Sequence, residues 1–242
     1  MEKHLDRVEL LIGEKDTKAI QQSSVMVVGC GGVGAMAAES LVRFGVGKLY
    51  LIDHDISAPS NLNRQIHATV DTIGFKKVDA LANRLLAINP KCTIIKIDEF
   101  VSHDNIDKIF NLEFECIIDA IDTITSKCLL LEHAQRLQIP IVSSMGMGNR
   151  LDPTQVKVMQ LRKTINDPLA KVMRYQCRKR GLSDKIRVVC STELPKKQTK
   201  KIKESSILKE AMPPSSSSFV PMAAGLACGY EVIKILLKRE EL

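Results

Sequence analysis

Apolar residues first gather at Ser24-Val25-Met26-Val27-Val28-Gly29, a short unbroken run that stops on glycine. A run without polar alternation predicts a strand buried on both faces. From Val33 to Phe44 the spacing becomes helical, and Ala35, Ala37 and Ala38 keep its first turns slim. Lys48-Leu49-Tyr50-Leu51-Ile52-Asp53 predicts a second strand, ending in a carboxylate. Helical spacing returns over Phe75 to Ile88 and is closed by Asn89-Pro90. Thr93 to Ile97, Cys116 to Ala120 and Ile139 to Ser143 predict three more strands, with helical stretches at His103 to Phe110 and Ser126 to Leu137 between them. This alternation predicts an α/β fold with a Rossmann-like, doubly wound, mostly parallel sheet.

The alternation fades after about Ser144. Beyond it the pattern predicts short strands at Gln155 to Leu161 and Ile186 to Cys190, a helix at Pro168 to Arg180 and a terminal helix at Met222 to Lys238. Residues 195–218 are rich in Lys, Pro and Ser, which predicts a mobile loop. We therefore read 1–242 as one domain: a nucleotide-binding core over 1–144 and a C-terminal extension over 145–242.

The turn Gly29-Cys30-Gly31-Gly32-Val33-Gly34 follows a strand and opens a helix. In that context Gly29, Gly31, Gly32 and Gly34 let backbone N–H groups approach phosphate oxygens at a positive helix end. Asp53, at the end of the second strand, is placed to accept ribose hydroxyls. The turn and Asp53 alone leave ATP and a dinucleotide such as NAD both open. The next segment, Asp53-His54-Asp55 followed by Asn61-Leu62-Asn63-Arg64-Gln65, favours ATP. A triphosphate attacked at its α-phosphate must be neutralised and oriented, and Arg64 suits a phosphate fork. Lys77 adds a point charge, and Asp122 is a candidate magnesium ligand.

Composition changes the picture in three places. Hydrophobic residues are 45%, aromatics only 4%, and Trp is absent, so the core must be built from Ile, Leu, Val, Ala and Met. The seven cysteines are scattered and none forms a C-x-x-C pair, which argues against a disulfide framework and a four-Cys zinc site. The net charge of +7 is concentrated between Lys157 and Glu210, where 16 Lys/Arg face 5 Asp/Glu. Such a segment is either a solvated face or a surface for a polyanion such as RNA. Met1 to Lys18 is too charged for a signal peptide. The apolar run from Phe219 to Tyr230 meets Glu231 well short of the roughly 20 residues of a membrane span. A soluble, cytoplasmic protein is expected.

Taken together, Gly-x-Gly-Gly-Val-Gly, Asp53-x-Asp55, Asn61-Leu62-Asn63-Arg64-Gln65, Lys77 and Asp119-Ala120-Ile121-Asp122 resemble the ThiF/MoeB/HesA superfamily. These are adenylating enzymes related to ubiquitin-activating enzymes, and the resemblance covers roughly Arg7 to Ser144. It implies that a substrate carboxylate attacks the α-phosphate of ATP, giving acyl-AMP and pyrophosphate. It gives Asn61, Arg64, Lys77 and Asp122 the phosphate and magnesium roles. It also implies a homodimer in which Arg7 reaches the partner subunit's ATP.

Later segments narrow the resemblance: Leu10-Leu11-Ile12-Gly13, Asn63-Arg64-Gln65-Ile66-His67-Ala68, Asn149-Arg150-Leu151-Asp152-Pro153-Thr154, Lys163 to Ala170, and Cys190-Ser191-Thr192-Glu193. These are similar to the tRNA threonylcarbamoyladenosine dehydratases, nearly end to end. The implied substrate is tRNA, whose threonyl carboxylate is activated so that a nitrogen of the same modification closes a ring with net loss of water. The alternative substrate is the C-terminus of a ubiquitin-like sulfur carrier, against which the missing C-x-x-C pairs count. A monovalent cation and a cysteine-desulfurase sulfur-relay partner stay open. So do Cys190, as nucleophile or structural thiol, and His67, as ligand contact or packing residue.

Overall fold

The computed structural model describes residues 4–199 and 214–240. Residues 200–213, the middle of the predicted 195–218 loop, lie outside the described residues. Two helices, α1 (Asp6–Ile12) and α2 (Glu14–Gln22), precede the first strand. The sequence pattern does not show them, because α1 buries no side chain and α2 only Thr17 and Ile20.

The predicted alternation then appears in order: β1 (Ser24–Val28), α3 (Gly32–Phe44), β2 (Lys48–Ile52), α4 (Lys77–Ile88), β3 (Thr93–Ile97), α5 (Ile106–Phe110), β4 (Cys116–Asp119), α6 (Ile124–Arg136) and β5 (Ile141–Ser144). The extension contributes β6 (Val156–Gln160), α7 (Pro168–Lys179), β7 (Arg187–Ser191) and α8 (Phe219–Leu236). All seven strands form one sheet in the order β3-β2-β1-β4-β5-β7-β6. The extension strands therefore continue the core sheet: β7 pairs parallel with β5, and β6 runs antiparallel at the edge.

Both faces are covered, which is why the strand runs carry no polar alternation. Val25, Val27, Leu49, Leu51 and Ile118 pack on one face with α3, α4 and α8. Met26, Val28, Tyr50, Ile52 and Ile117 pack on the other with α5, α6 and α7.

The terminal helix starts at Phe219, ahead of the predicted Met222. Pro221 sits in its first turn, where a missing N–H costs nothing. By length and composition α8 could cross a membrane, yet half of it is buried inside the protein. It lies against α3 at van der Waals range through small residues. A Cβ on Gly225 would stand 2.5 Å from the Val33 carbonyl oxygen and 2.7 Å from Met36 Cβ. Gly225→Val should therefore overpack this contact and destabilise the protein by about 1–3 kcal/mol, read as a lower urea midpoint at unchanged slope.

Candidate nucleotide site at the carboxyl edge of the sheet

Strand order reverses between β1 and β4, so the crevice for a ligand opens above their carboxyl ends. Gly29 turns the chain there with φ +91°. Its N–H donates to the Ile52 carbonyl (2.8 Å), and a Cβ would stand 2.8 Å from the Ala120 carbonyl oxygen. Only glycine fits this wedge between β2 and β4. Gly31 then precedes α3, of which Gly32 and Gly34 are part, and no side chain caps that helix. Its first N–H groups are left for an external acceptor, and the helix dipole favours an anion there. This uncapped end is the feature that fits a nucleotide phosphate.

Asp53 accepts from Cys30 N–H (2.6 Å) and from Asp55 N–H (2.8 Å), tying the glycine turn to the loop after β2. Lys77, buried as the first residue of α4, donates to Asp55 (2.6 Å). His54 Nε2 lies 3.3 Å from Asp55 as well, and the ligand atoms of Asp53, His54 and Asp55 fall within 4.8 Å of one another. Asn61 is buried and accepts from Ala58 N–H (3.0 Å), which shapes the turn that presents Arg64. Arg64 donates to the Ser60 carbonyl (2.7 Å) and to Asn63 (2.9 Å), and its stem lies over Gly32. Asn63 donates to Ser216 (3.0 Å), linking this cluster to the start of α8. Gln65 is buried, with an Oε1 that has no partner among the described residues. Asp122 is exposed in the loop between β4 and α6.

The structure thus brings the predicted glycines, Asp53, Asp55, Asn61, Asn63, Arg64, Gln65, Lys77 and Asp122 to one edge. Arg7 is elsewhere. The Leu5 side chain abuts Gly45, at the far end of α3, and His4 contacts the Arg43 carbonyl (3.2 Å). Thirteen helical residues place that end about 20 Å from the glycine turn.

Lys127, Ser143 and Arg150, all buried, are not among the predicted site residues. Lys127, fully buried on α6, donates to Asp119 (2.7 Å) and to the Ile121 carbonyl (3.0 Å), while Ser143 donates to the same Asp119 oxygen (2.5 Å). This trio fixes the ends of β4 and β5 beneath the crevice. Arg150 donates to the carbonyls of Gly146, Gly148 (3.3 Å), Asn166 (2.8 Å) and Glu193 (3.1 Å), and faces Asp167 at 3.5 Å. Asp167 in turn caps α7 through Ala170 N–H (2.9 Å). The segments singled out at Asn149 to Thr154, Lys163 to Ala170 and Cys190 to Glu193 meet around this guanidinium. Beside it, Asn149 (φ +62°) accepts from Ser215 N–H and Lys196 N–H, at 2.8 and 2.7 Å.

Cys190 is a structural thiol. It is fully buried, donates to the Ser191 carbonyl (3.4 Å), and burial with the Asp167 charge pushes its pKa up to about 12. His67 is also buried, with neither ring nitrogen partnered among the described residues. Burial, reinforced by Lys77 and Arg84, lowers its pKa from 6.5 to about 4.

Removing Arg150 would leave Asp167 charged in the interior, so Arg150→Ala should cost about 3–5 kcal/mol in denaturant melts. His67 predicts an acid dependence. The unfolded chain takes up this proton before the folded one, so stability is full above pH 6.5 and falls between 6.5 and about 4. Wild type should lose about 3 kcal/mol more than His67→Gln over that window, read from urea midpoints at each pH.

A model of the ThiF family matches residues 5–242. A tRNA threonylcarbamoyladenosine dehydratase of Bacillus subtilis (strain 168) is 40% identical over 242 residues, 98% of this chain and 95% of that one. The enzyme of the same name from Escherichia coli (strain K12) is 43% identical over 164 residues, covering 68% and 61%. The crystal structure of E. coli TcdA, the tRNA N6-threonylcarbamoyladenosine dehydratase, in complex with ATP superposes with a TM-score of 0.86 at 32% identity, over 97% of this chain and 94% of that one. E. coli MccB with ATP shares the fold, with a TM-score of 0.67 at 18% identity over 100% of this chain and 65% of that one. A Rossmann-like sheet with an uncapped glycine turn, an Arg–Asn cluster beside it, and a family match over nearly the whole length agree: the chain belongs to the ThiF family.

Proposed function

We propose that the chain uses ATP to cyclise threonylcarbamoyladenosine in tRNA with loss of water. The observation that carries this reading is that the likeness to dehydratases of this name extends past the nucleotide core. It takes in the segments that converge on Arg150, beyond the residues that would hold ATP.

The threonyl carboxylate oxygen bonds to the α-phosphorus of ATP, and pyrophosphate leaves. A nitrogen of the modification then attacks the acyl carbon, and AMP leaves with the former carboxylate oxygen. The uncapped N–H groups at Gly31, Gly32 and Gly34 hold phosphate oxygens, and Gly29 sets their direction. Asp53 accepts ribose hydroxyls while buttressing the turn. Arg64, Asn61 and Lys77 orient the triphosphate and stabilise charge on the departing pyrophosphate, with Asp55 holding Lys77 and Asn63 holding Arg64, and the buried Gln65 offers its amide to the nucleotide. The exposed carboxylate of Asp122 suits magnesium, which when bound neutralises phosphate charge. The reaction as written has no step that uses sulfur or zinc, and a monovalent cation or a sulfur-relay partner would act outside its bond-making steps.

In this reading the chain acts as one adenylating unit over 1–242, in the cytoplasm, and as a homodimer. Leu10 and Leu11 support the dimer: they are 80% and 76% exposed on α1, a helix that buries nothing within its own chain. The distance of Arg7 from its own chain's crevice supports a role at the partner subunit's site.

Purified protein with ATP, magnesium and modified tRNA should yield a nucleoside lighter by one water, read by mass spectrometry. An unchanged nucleoside overturns the proposal. Arg64→Ala should lower kcat by about 10²–10³. Arg7→Ala should also be inactive alone, yet mixing it with Arg64→Ala should restore part of the activity through dimers holding one intact site.

A further inference from the structure

Cations in the core are mostly spoken for: Lys76, Lys77, Arg84 and Lys96 each hold a carboxylate within 2.6 Å. The extension is different. Among the described residues, Lys157, Lys163, Lys171, Arg178, Lys179 and Lys185 are exposed and make no ion pair. Asp184, beside Lys185 in the chain, pairs with none of them, and two carboxylates that other elements bring near are already engaged. Asp167 is buried against Arg150, and Glu132 of α6 is taken by Arg180 (2.5 Å). Unneutralised charge of one sign on one surface creates a positive potential that attracts a polyanion.

Helix α7 gives this charge a geometry. Ala170, Met173 and Cys177 form its buried face. Lys171, Tyr175 and Arg178 fall at i, i+4 and i+7 on the opposite, exposed face. Seven residues span about 10 Å of helix axis. Tyr175 is 56% exposed and has no ring contact among the described residues. A large aromatic between two free cations is the arrangement that stacks a base while phosphates are held on either side. The face is also rigidly joined to the nucleotide edge. Arg174 donates to Thr164, and the Asp167 cap ties the start of α7 to Arg150.

We infer that the exposed face of α7 is an RNA-docking surface, with Lys171 and Arg178 on phosphates and Tyr175 stacked on an unpaired base. The inference rests on the proposal that tRNA is the substrate, and adds where it is gripped. The three side chains act on affinity for RNA and leave the ATP crevice untouched.

The test uses an unmodified tRNA transcript, so that binding is read apart from chemistry, by filter retention across a salt series. Lys171→Ala/Arg178→Ala should reduce the slope of log affinity against log salt by about two units, one per cation removed. Tyr175→Ala should weaken binding about tenfold at unchanged slope. Arg178→Lys should keep the wild-type slope. Lys91→Ala, exposed and unpaired beside β3, should change neither, and all variants should keep the wild-type ATP affinity and melting temperature. Wild-type affinity and slope in the α7 variants overturn the inference, as does a wild-type protein that binds anionic vesicles but no tRNA. If tRNA binding follows this pattern while no nucleoside is cyclised, the surface stands and the proposed reaction falls. If cyclisation proceeds while the α7 variants bind normally, the reverse holds.

Discussion

The structure depends on leaving one helix end without a partner while holding it still. The first N–H groups of α3 have no side-chain cap, and burying such donors unsatisfied is costly. The surrounding chain supplies rigidity without consuming them. Asp53 takes the N–H of Cys30, one residue ahead of the free donors. Gly29 wedges against Ala120, and α8 backs α3 along Gly225. Below, the Lys127–Asp119–Ser143 trio keeps the ends of β4 and β5 from moving away from the turn. The donors are thus aimed before any ligand arrives, so little ordering remains for binding to supply.

What was legible in the sequence was local. β1, β2, β4 and β5 are buried on both faces, so they read as largely apolar runs, while β3 at the sheet edge keeps Thr93 and Lys96 exposed. The glycine turn, Asp53 and the Asn61 to Gln65 cluster lie within short stretches whose order along the chain matches their order in space. The short strands of the extension were legible as strands, but not as continuations of the core sheet, because that pairing joins β5 to β7 across the whole of β6 and α7.

Lys127 and Arg150 were illegible for a related reason. A lysine in a helix and an arginine in a loop read as surface residues; what buries them is tertiary, Lys127 folding under the crevice onto Asp119 at the end of the neighbouring strand, and Arg150 being wrapped by carbonyls of Asn166 and Glu193. His67 could not be resolved because its state follows from burial and from Lys77 and Arg84, none of which adjoins it in sequence. α1 was missed for the opposite reason: it has no buried stripe within its own chain to be read.

Asn149 holds two distant points of the chain at once. Its backbone and side chain receive both Lys196 and Ser215, so the chain that leaves at one returns to the other at the same residue. The two ends are closed by the fold, whatever runs between them. Closure entropy then grows only logarithmically with the length of the excursion, about 0.6 kcal/mol per doubling. The stretch between these anchors is therefore free to lengthen, shorten or change composition across descendants of this fold at little thermodynamic cost, while Arg150 and the crevice next to it keep their geometry.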